Sequence, residues 1–100
     1  MGRLEDLAKC TGFDRDEGNL TKNWVRHRVA AAECEQVFFN RPLAAAGDEQ
    51  HSDEEPRAYV LGQTDTGRRL FIAFTIRRGL IRVISARDMN RRERAEHEKP

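Results

Sequence analysis

The chain has 100 residues, a length that suits one domain with one core, and it is 35% charged and 38% hydrophobic. Its longest uncharged apolar run, Leu70 to Ile76, is far shorter than the roughly 20 residues that a membrane-spanning helix needs. Acidic side chains interrupt the N-terminus where a secretory signal has its apolar segment. Cys10 and Cys34 lack metal-ligand spacing, which favours reduced thiols in a cytoplasmic protein without membrane association.

The net charge of +1 conceals two halves of opposite sign. Residues 1–67 carry eight basic and thirteen acidic side chains, whereas residues 68–100 carry ten basic and four acidic ones. A basic half of this kind indicates a surface that meets an anionic partner. The alternative is that the charges of both halves only solvate the surface and pair with each other.

Two helices are predicted in the first half, after a short helical lead-in over residues 3–10 and an extended piece over residues 13–16. Asp16 is a suitable N-cap for a helix that runs to about Arg26. Helical spacing predicts the residues that face inward from it: Leu20, Trp24 and Asn23. A second helix is predicted from about Ala30 to Phe38, with Asn40-Arg41-Pro42 ending it.

The second half reads as a sheet followed by a helix. A short weak strand over 43–46 and a polar surface loop over 47–56 precede the first clear strand, Arg57 to Gln63. Thr64–Gly67 predicts a hairpin turn in which Asp65 and Gly67 take positive φ. Two further strands, over 70–76 and 80–86, turn over at Arg77-Arg78-Gly79. The last helix is predicted from Asn90 to about Lys99, with residues 96–100 frayed.

Strict alternation assigns the side chains of these last two strands to faces. In the first, the residues of one side are Leu70, Ile72, Phe74 and Ile76, and those of the other are Phe71, Ala73 and Thr75. In the second, the residues of one side are Ile81, Val83 and Ser85, and those of the other are Leu80, Arg82, Ile84 and Ala86. The predicted fold is therefore α+β: a small antiparallel meander with helices on one face, in a single domain over 1–100. Arg57 and Arg82 are expected to line the open face.

The arginine at the end of the last strand, Arg87, is the first candidate for chemistry. A guanidinium held there can bind a phosphate through two hydrogen bonds and stabilise extra negative charge in a phosphoryl-transfer transition state. The alternative is a salt bridge to Glu54, Glu55 or Glu93. Arg82 lies among apolar residues and needs an ionic partner or a ligand, because an unpaired buried charge is costly.

Other residues carry weaker signals. His51, in the polar loop, titrates near neutral pH and could share proton transfer with Glu55, although a loop histidine is more often incidental. The basic residues of the last helix, Arg91, Arg92 and Arg94, suit contacts to backbone phosphates, or else form a solvated face. His27 could contact RNA or cap the first helix. No spacing of Cys, His and Asp indicates a metal site, and no cofactor motif is present.

The order of these motifs resembles the BrnT family, toxins of type II toxin–antitoxin systems. The resemblance begins with Phe13-x-x-Asp16, Asn23, Arg26-His27 and Val29, and continues through Val37-Phe38, His51-Ser52, Glu55, Arg57 and Leu61-Gly62-x-Thr64-Asp65. It ends with Gly67-Arg68, Phe74-Thr75, Ile81-Arg82, Ile84-Ser85-Ala86-Arg87 and Arg91-Arg92-Glu93-Arg94. Four positions depart from the usual pattern: Arg15 replaces an aromatic residue, Asn19 a lysine, Arg28 a glycine and Pro56 an acidic residue beside Arg57.

The resemblance implies a RelE-like fold and a ribonuclease that inhibits translation. It also implies neutralisation by a BrnA-type antitoxin, a ribbon-helix-helix protein through which the complex would reach operator DNA. The residues that it places in the active site are His51, Glu55, Arg57, Arg82, Ser85 and Arg87. The residues expected to bind RNA are His27, Arg68, Arg91, Arg92 and Arg94.

The sequence therefore predicts a metal-independent endoribonuclease in which the ribose 2′-OH attacks the adjacent phosphate. Arg82 and Arg87 would stabilise the charged phosphorane, and His51 or Glu55 would transfer protons. The alternative is a non-catalytic module that binds nucleic acid or protein through the same basic surface. A degenerate toxin that acts only as an operon co-regulator is a further possibility.

Overall fold

The computed structural model describes residues 4–48 and 57–99, which form an α+β fold. A 3-10 helix over Leu4–Lys9 precedes β1 (Gly12–Phe13), α1 (Glu17–His27) and α2 (Ala31–Phe39). The remaining elements are β2 (Ala44–Asp48), β3 (Arg57–Gln63), β4 (Arg69–Arg77), β5 (Leu80–Asp88) and α3 (Arg91–Glu98). In this part of the chain no helix has the length and apolar character needed to cross a membrane.

The strands form one sheet in the order β1-β5-β4-β3-β2. The predicted meander of β3, β4 and β5 is confirmed, and β2 adds an antiparallel edge. β1 pairs in parallel with β5, Gly12 opposite Leu80, so the sheet is mixed rather than purely antiparallel. This pairing could not be read from the sequence because two residues are too few to show a strand pattern.

Asp16 begins α1 as predicted, since its side chain accepts a hydrogen bond from the backbone N–H of Asn19 at 2.9 Å. The predicted inward position of Trp24 is wrong: Trp24 is 48% exposed, whereas Asn23 is only 1% exposed. Asn23 is buried in place of Trp24 because its side-chain amide forms a hydrogen bond to the sheet. The Asn23 Oδ1 atom accepts from the backbone N–H of Ala86, which gives a partner to a β5 group that has no neighbouring strand on that side.

The main core lies between the sheet and the helices α1 and α2. From α2, Cys34 and Val37 pack against the buried side of the sheet, where the core residues are Ala58, Val60, Leu70, Ile72, Phe74, Ile81 and Ala86. Gly62 lets α2 approach β3 closely, because a Cβ atom there would lie 2.6 Å from Cγ1 of Val37. Burial raises the pKa of the Cys34 thiol to about 12, with the nearby carboxylates of Glu33 and Glu35 adding to the shift, so this cysteine stays protonated.

The two hairpin turns differ from each other in their backbone. At the β4–β5 turn both central residues have positive φ, Arg78 at 52° and Gly79 at 74°, as a tight two-residue hairpin requires. At the β3–β4 turn, Gly67 has φ of 88° but Asp65 does not have positive φ, so the prediction for Asp65 is wrong. Asp65 instead accepts a hydrogen bond from the Asn40 side chain at 2.9 Å.

A β-bulge in the β4–β5 ladder changes the predicted faces of β5. Thr75 lies opposite Arg82 and Phe74 opposite Val83, but the next pair is Ala73 with Ser85, so Ile84 is the additional residue. The alternation predicted for β4 is confirmed, whereas the prediction for the end of β5 is wrong. Ala86 is buried with the core, and Ser85 lies on the opposite face. A bulge adds one residue to one strand and reverses the alternation beyond it.

The last helix, α3, does not share the helix-covered face, which corrects the prediction that all helices lie on one side. Asn90 caps it, and the Glu93 side chain accepts from the Asn90 N–H in return. Its side chains reach residues of the opposite face: Glu93 pairs with Arg87 and Glu98 with Arg69. At its other end, the buried ring of His97 lies 2.9 Å from the Pro42 carbonyl oxygen. α3 therefore crosses one end of the sheet.

Candidate functional site

The face of the sheet opposite α1 and α2 collects the four predicted active-site residues that the structure describes. Cross-strand pairing puts Phe71 opposite Arg87, Ala73 opposite Ser85 and Thr75 opposite Arg82. We call this surface the arginine face; its residues are Arg57, Tyr59, Phe71, Ala73, Thr75, Arg82, Ser85 and Arg87. Most of these side chains are half-buried rather than fully covered.

The β-bulge is what brings Arg82 and Arg87 to one face. Five positions separate the two residues, and an odd separation in a regular strand directs side chains to opposite faces. The additional residue, Ile84, restores a common face. Bulges recur beside functional sites because they re-aim side chains in this way.

Arg87 is held by an aromatic ring and by a carboxylate. Its guanidinium carbon lies 4.3 Å from the centre of the Phe71 ring, a cation–π contact. Nη1 donates to Glu93 Oε1 at 2.7 Å and Nη2 to Glu93 Oε2 at 2.9 Å, while Nη1 also reaches the carbonyl oxygen of Asp88 at 3.2 Å. The pair raises the pKa of Arg87 and lowers the pKa of Glu93, in both cases chiefly through these side-chain hydrogen bonds. The salt bridge to Glu93 considered from the sequence is therefore present.

This pairing leaves one edge of the Arg87 fork available. A guanidinium has five N–H groups, and the bonds to Glu93 and Asp88 occupy three of them. The Nε–H group and the second N–H of Nη2 share the remaining edge, and neither donates to another described residue. With the Arg87 side chain 34% exposed, that edge has the geometry for two parallel bonds to one phosphate.

Arg82 has the ionic partner that its apolar surroundings require. Its Nε and Nη2 donate to Oδ2 of Asp14 at 3.2 and 2.8 Å, and Nη1 lies 3.8 Å from Oδ2 of Asp16. Asp14 directly follows β1, whose pairing with β5 brings this carboxylate beside the arginine. The Nε–Nη2 edge of Arg82 is therefore already occupied, and its charge is partly compensated.

Arg68, predicted to bind RNA, joins three elements at the end of β5. Its guanidinium donates to both Asp88 carboxylate oxygens, to the carbonyl oxygens of His27 and Arg28 at 2.9 and 2.8 Å, and to Glu33 at 3.3 Å. These bonds satisfy carbonyl groups at the C-terminus of α1. The pKa of Asp88 is lowered, above all by the hydrogen bond from Arg68. A structural role for Arg68 follows, and RNA binding by it stays a prediction.

The remaining predicted RNA-binding residues lie around the same end of the sheet. His27 is exposed in the last turn of α1, and Arg91, Arg92 and Arg94 are exposed on α3. Within residues 4–48 and 57–99, these three arginine side chains form no ion pair. They flank Glu93 in sequence and therefore belong to the same helical segment as the carboxylate that holds Arg87.

Two of the predicted active-site residues, His51 and Glu55, lie outside the described residues. Arg57, in contrast, begins β3 on the arginine face, next to the buried Ala58 that faces the core. Ser85 is half-buried on the same face, two positions before Arg87. Four of the six predicted active-site residues are thus brought to one surface.

Sequence reasoning missed the aromatic pair on this surface. Tyr59 and Phe71 stack with their ring centres 5.3 Å apart and their planes at 24°. The available signal was the alternation in β4, which set Phe71 on the side opposite Leu70, Ile72 and Phe74. What the sequence could not show is the strand register that puts them side by side with Arg87. Among the described residues, no three His, Cys, Asp or Glu side chains cluster in a way that would hold a metal ion.

Comparison with known proteins bears on the class of protein. Residues 16–93 match the family described as "Ribonuclease toxin, BrnT, of type II toxin-antitoxin system". Among solved structures, the chain is similar to the Brucella abortus ribonuclease toxin BrnT, whose crystal structure was determined at 1.1 Å resolution. The two share 18% sequence identity and a TM-score of 0.58, over 81% of this chain and 99% of the other. No curated protein matches.

The family match spans well over half of the chain, from the N-cap of α1 into α3. It covers the β-bulge, both arginines of β5 and the Glu93 carboxylate. The matched class is the ribonuclease toxins of type II toxin–antitoxin systems. This chain belongs to the BrnT family within that class, which confirms the resemblance seen in the sequence; the structural similarity confirms the fold.

Proposed function

We propose that the protein is a metal-independent endoribonuclease that cleaves RNA and thereby inhibits translation. The observation that carries the proposal is the Nε–Nη2 edge of Arg87, which donates to no other described residue and lies on a face that also holds Arg57, Arg82 and Ser85. A phosphate bound at this edge would gain negative charge as its bond to the 2′-oxygen forms. Fixed guanidinium donors stabilise that charge more in the transition state than in the bound RNA.

The proposed reaction is an internal transfer within the RNA. The 2′-hydroxyl loses its proton and its oxygen bonds to the adjacent phosphorus, while the 5′-oxygen of the next nucleotide leaves and takes up a proton. The products are a 2′,3′-cyclic phosphate and a 5′-hydroxyl. We assign the proton transfers to His51 or Glu55, charge stabilisation to Arg87 and Arg82, and substrate positioning to Ser85 and Arg57.

The cations at the end of the sheet are proposed to hold the RNA backbone. Arg91, Arg92 and Arg94 are exposed on α3, the helix that holds Arg87 through Glu93, and each can contact a phosphate without breaking an ion pair to another described residue. His27 and Arg68 lie on the adjacent rim and would contribute more weakly, because the Arg68 donors are already engaged.

The partner implied by the family is an antitoxin, and we propose that it is a BrnA-type ribbon-helix-helix protein. An antitoxin that covers a basic surface excludes RNA both by occupancy and by charge complementarity. The complex would bind operator DNA through the antitoxin alone, and the free toxin would act in the cytoplasm.

A second candidate is a non-catalytic nucleic-acid or protein-binding module, or a degenerate toxin that regulates its operon. The specific observation in its favour is that both β5 arginines pair with internal carboxylates, Arg82 with Asp14 and Arg87 with Glu93. Such pairs neutralise part of the charge that catalysis needs. The module would bind RNA and leave it intact.

The endoribonuclease and the binding module are distinguished by comparing RNA with and without its 2′-hydroxyl nucleophile. Purified protein is incubated with an RNA and with its fully 2′-O-methylated copy, each with EDTA and with Mg²⁺. The enzyme cleaves only the unmodified RNA, at similar rates under both metal conditions, and leaves cyclic phosphate ends. Cleavage of the methylated RNA, or cleavage abolished by EDTA, would contradict the mechanism. Binding of both RNAs without cleavage would support the module.

A further inference from the structure

We propose that Tyr59 and Phe71 form a stacking subsite for one unpaired nucleobase of the RNA, next to the phosphate held by Arg87. The subsite rests on the proposed binding of RNA but not on cleavage. The ligand class is a single-stranded purine or pyrimidine base, bound through its flat face.

Three flat groups stand in a row across the arginine face. The guanidinium of Arg87 lies 4.3 Å from the Phe71 ring centre, and the Phe71 ring centre lies 5.3 Å from that of Tyr59. The register explains this order: Arg87 and Phe71 are direct cross-strand neighbours, whereas Phe71 and Tyr59 are diagonal neighbours on β4 and β3. Phe71 is therefore sandwiched, and Tyr59 forms the end of the row.

The two rings lie on the face of the sheet away from the main core. The core of the domain lies on the other side of the sheet, where Phe74 is almost fully buried. Tyr59 and Phe71 are half-buried and belong to the surface that carries Arg57, Arg82 and Arg87. Aromatic rings interleaved with arginines on an accessible sheet are the usual platform for single-stranded nucleic acid, because every base has a face that can stack.

The row also relates the base to the reacting phosphate. Arg87 offers its Nε–Nη2 edge to the phosphate while its flat face rests on Phe71. A nucleotide bound there can direct its own base, or that of its neighbour, along the row toward Tyr59. Stacking at Tyr59 would then fix which phosphate reaches Arg87, so the subsite selects the cleaved position without reading base identity strongly.

The experiment is a double-mutant cycle on RNA affinity, in which the Tyr59 side chain and single bases of the RNA are removed separately and together. A fully 2′-O-methylated decamer and ten copies with one abasic site each are titrated against wild-type protein and Tyr59→Ala by fluorescence anisotropy. Wild-type protein should lose about ten-fold in affinity at one abasic position, the usual size for one stacked base. Tyr59→Ala should bind the intact decamer with an affinity reduced by a similar factor. Its affinity for the copy that is abasic at that position should be no lower than its affinity for the intact decamer.

Controls separate stacking from folding. Tyr59→Phe keeps the ring and should bind like the wild type, and Tyr59→Leu keeps apolar bulk if the alanine variant unfolds in urea titrations. Phe39→Ala removes an aromatic ring that is 75% exposed on α2, away from the arginine face, and should leave affinity unchanged.

Three outcomes would overturn the subsite. If Tyr59→Ala weakens binding equally for intact and abasic RNA at every position, Tyr59 does not stack on a base. If wild-type protein binds none of the decamers, the surface is not an RNA site. Cleavage of unmodified RNA without coupling between Tyr59 and a base would support the proposed ribonuclease and exclude the subsite. Coupling without cleavage would support the subsite and contradict the proposed ribonuclease.

Discussion

Arg87 is placed by its neighbours rather than by its own backbone alone. Phe71 supports the flat face of the guanidinium, and Glu93 fixes its rotation through two parallel hydrogen bonds. Glu93 is in turn fixed by the capping box of α3, because its Oε1 also accepts from the Asn90 N–H. The start of α3 and the end of β5 therefore orient one guanidinium together. A lysine at position 87 would lack both the planar face and the fork.

Replacing Glu93 by glutamine tests this contact through its pH dependence. The hydrogen bonds from Arg87 lower the pKa of Glu93 below the usual value of a glutamate. The carboxylate therefore stabilises the fold at neutral pH and loses this effect as the pH falls through its folded pKa. Glu93→Gln should reduce the free energy of unfolding by about 1–2 kcal/mol at pH 7.

Urea titrations across pH 2.5–7 measure the difference. The two proteins should converge in stability toward the acid end of this range, as Glu93 of the wild type becomes protonated. Glu96→Gln, on the exposed side of α3, serves as the matched control and should follow the wild type closely. A wild-type advantage that persisted unchanged at the lowest pH would show that the ion pair is not its source.

At the scale of elements, the sequence predicted most of the strands and helices and the β3–β4–β5 meander, but neither the strands with which β1 and β2 pair nor the bulge in β5. Period-two patterns were clear in β3, β4 and the start of β5, so the meander and the core side of β4 followed directly. The bulge at Ile84 has no sequence signature of its own, and strict alternation therefore gave Ser85 and Ala86 the wrong faces. That error concealed the common face of Arg82 and Arg87.

The same limit applies to α1, where hydrophobic spacing favoured Trp24 over Asn23. The helix lies beside β5, whose backbone groups need polar partners. Asn19 and Asn23 supply them through hydrogen bonds to the Val83 carbonyl and the Ala86 N–H. Arg28, which stands where the family usually has glycine, ends the helix at φ of 55°, a conformation that glycine adopts without steric cost.

The contact between α2 and β3 gives a prediction at this scale. Gly62→Ala should lower the free energy of unfolding by about 1–3 kcal/mol, since the new Cβ overlaps Val37 and Leu43. Gly47→Ala in β2 is the matched control, because a Cβ there meets nothing within 4 Å. Chemical denaturation of both variants makes the comparison. Equal stabilities would mean that α2 does not approach the sheet at Gly62 as described.

At the scale of the molecule, ion pairs between the acidic and the basic half of the chain cancel part of the charge difference between them. Arg68 pairs with Glu33 and Arg82 with Asp14, so carboxylates of the acidic half neutralise arginines of the basic half. The alternative of mutual pairing is thus correct for these residues. The exposed cations of α3 keep the excess positive charge at one end of the sheet, beside Arg87.

Salt dependence tests whether that excess charge binds RNA. Changing Arg91, Arg92 and Arg94 together to glutamine should weaken RNA binding and reduce the slope of log affinity against log salt by up to about 2, or about 0.7 for each lost phosphate contact. The control removes equal charge elsewhere, at Lys9, Arg15 and Lys22. Anisotropy titrations over a range of salt concentrations provide the slopes. Equal slopes for the two triple variants would contradict a specific role for α3.

The most direct measurement is the rate of RNA cleavage by Arg87 variants. Arg87→Ala should lower the rate by about 10²–10³-fold, the usual cost of removing a group that stabilises developing charge. Arg87→Lys should fall between it and the wild type, and Arg15→Ala, which removes an exposed arginine outside the arginine face, should cleave like the wild type. Equal rates for Arg87→Ala and wild type, or no cleavage by the wild type at any concentration, would contradict catalysis by the arginine face.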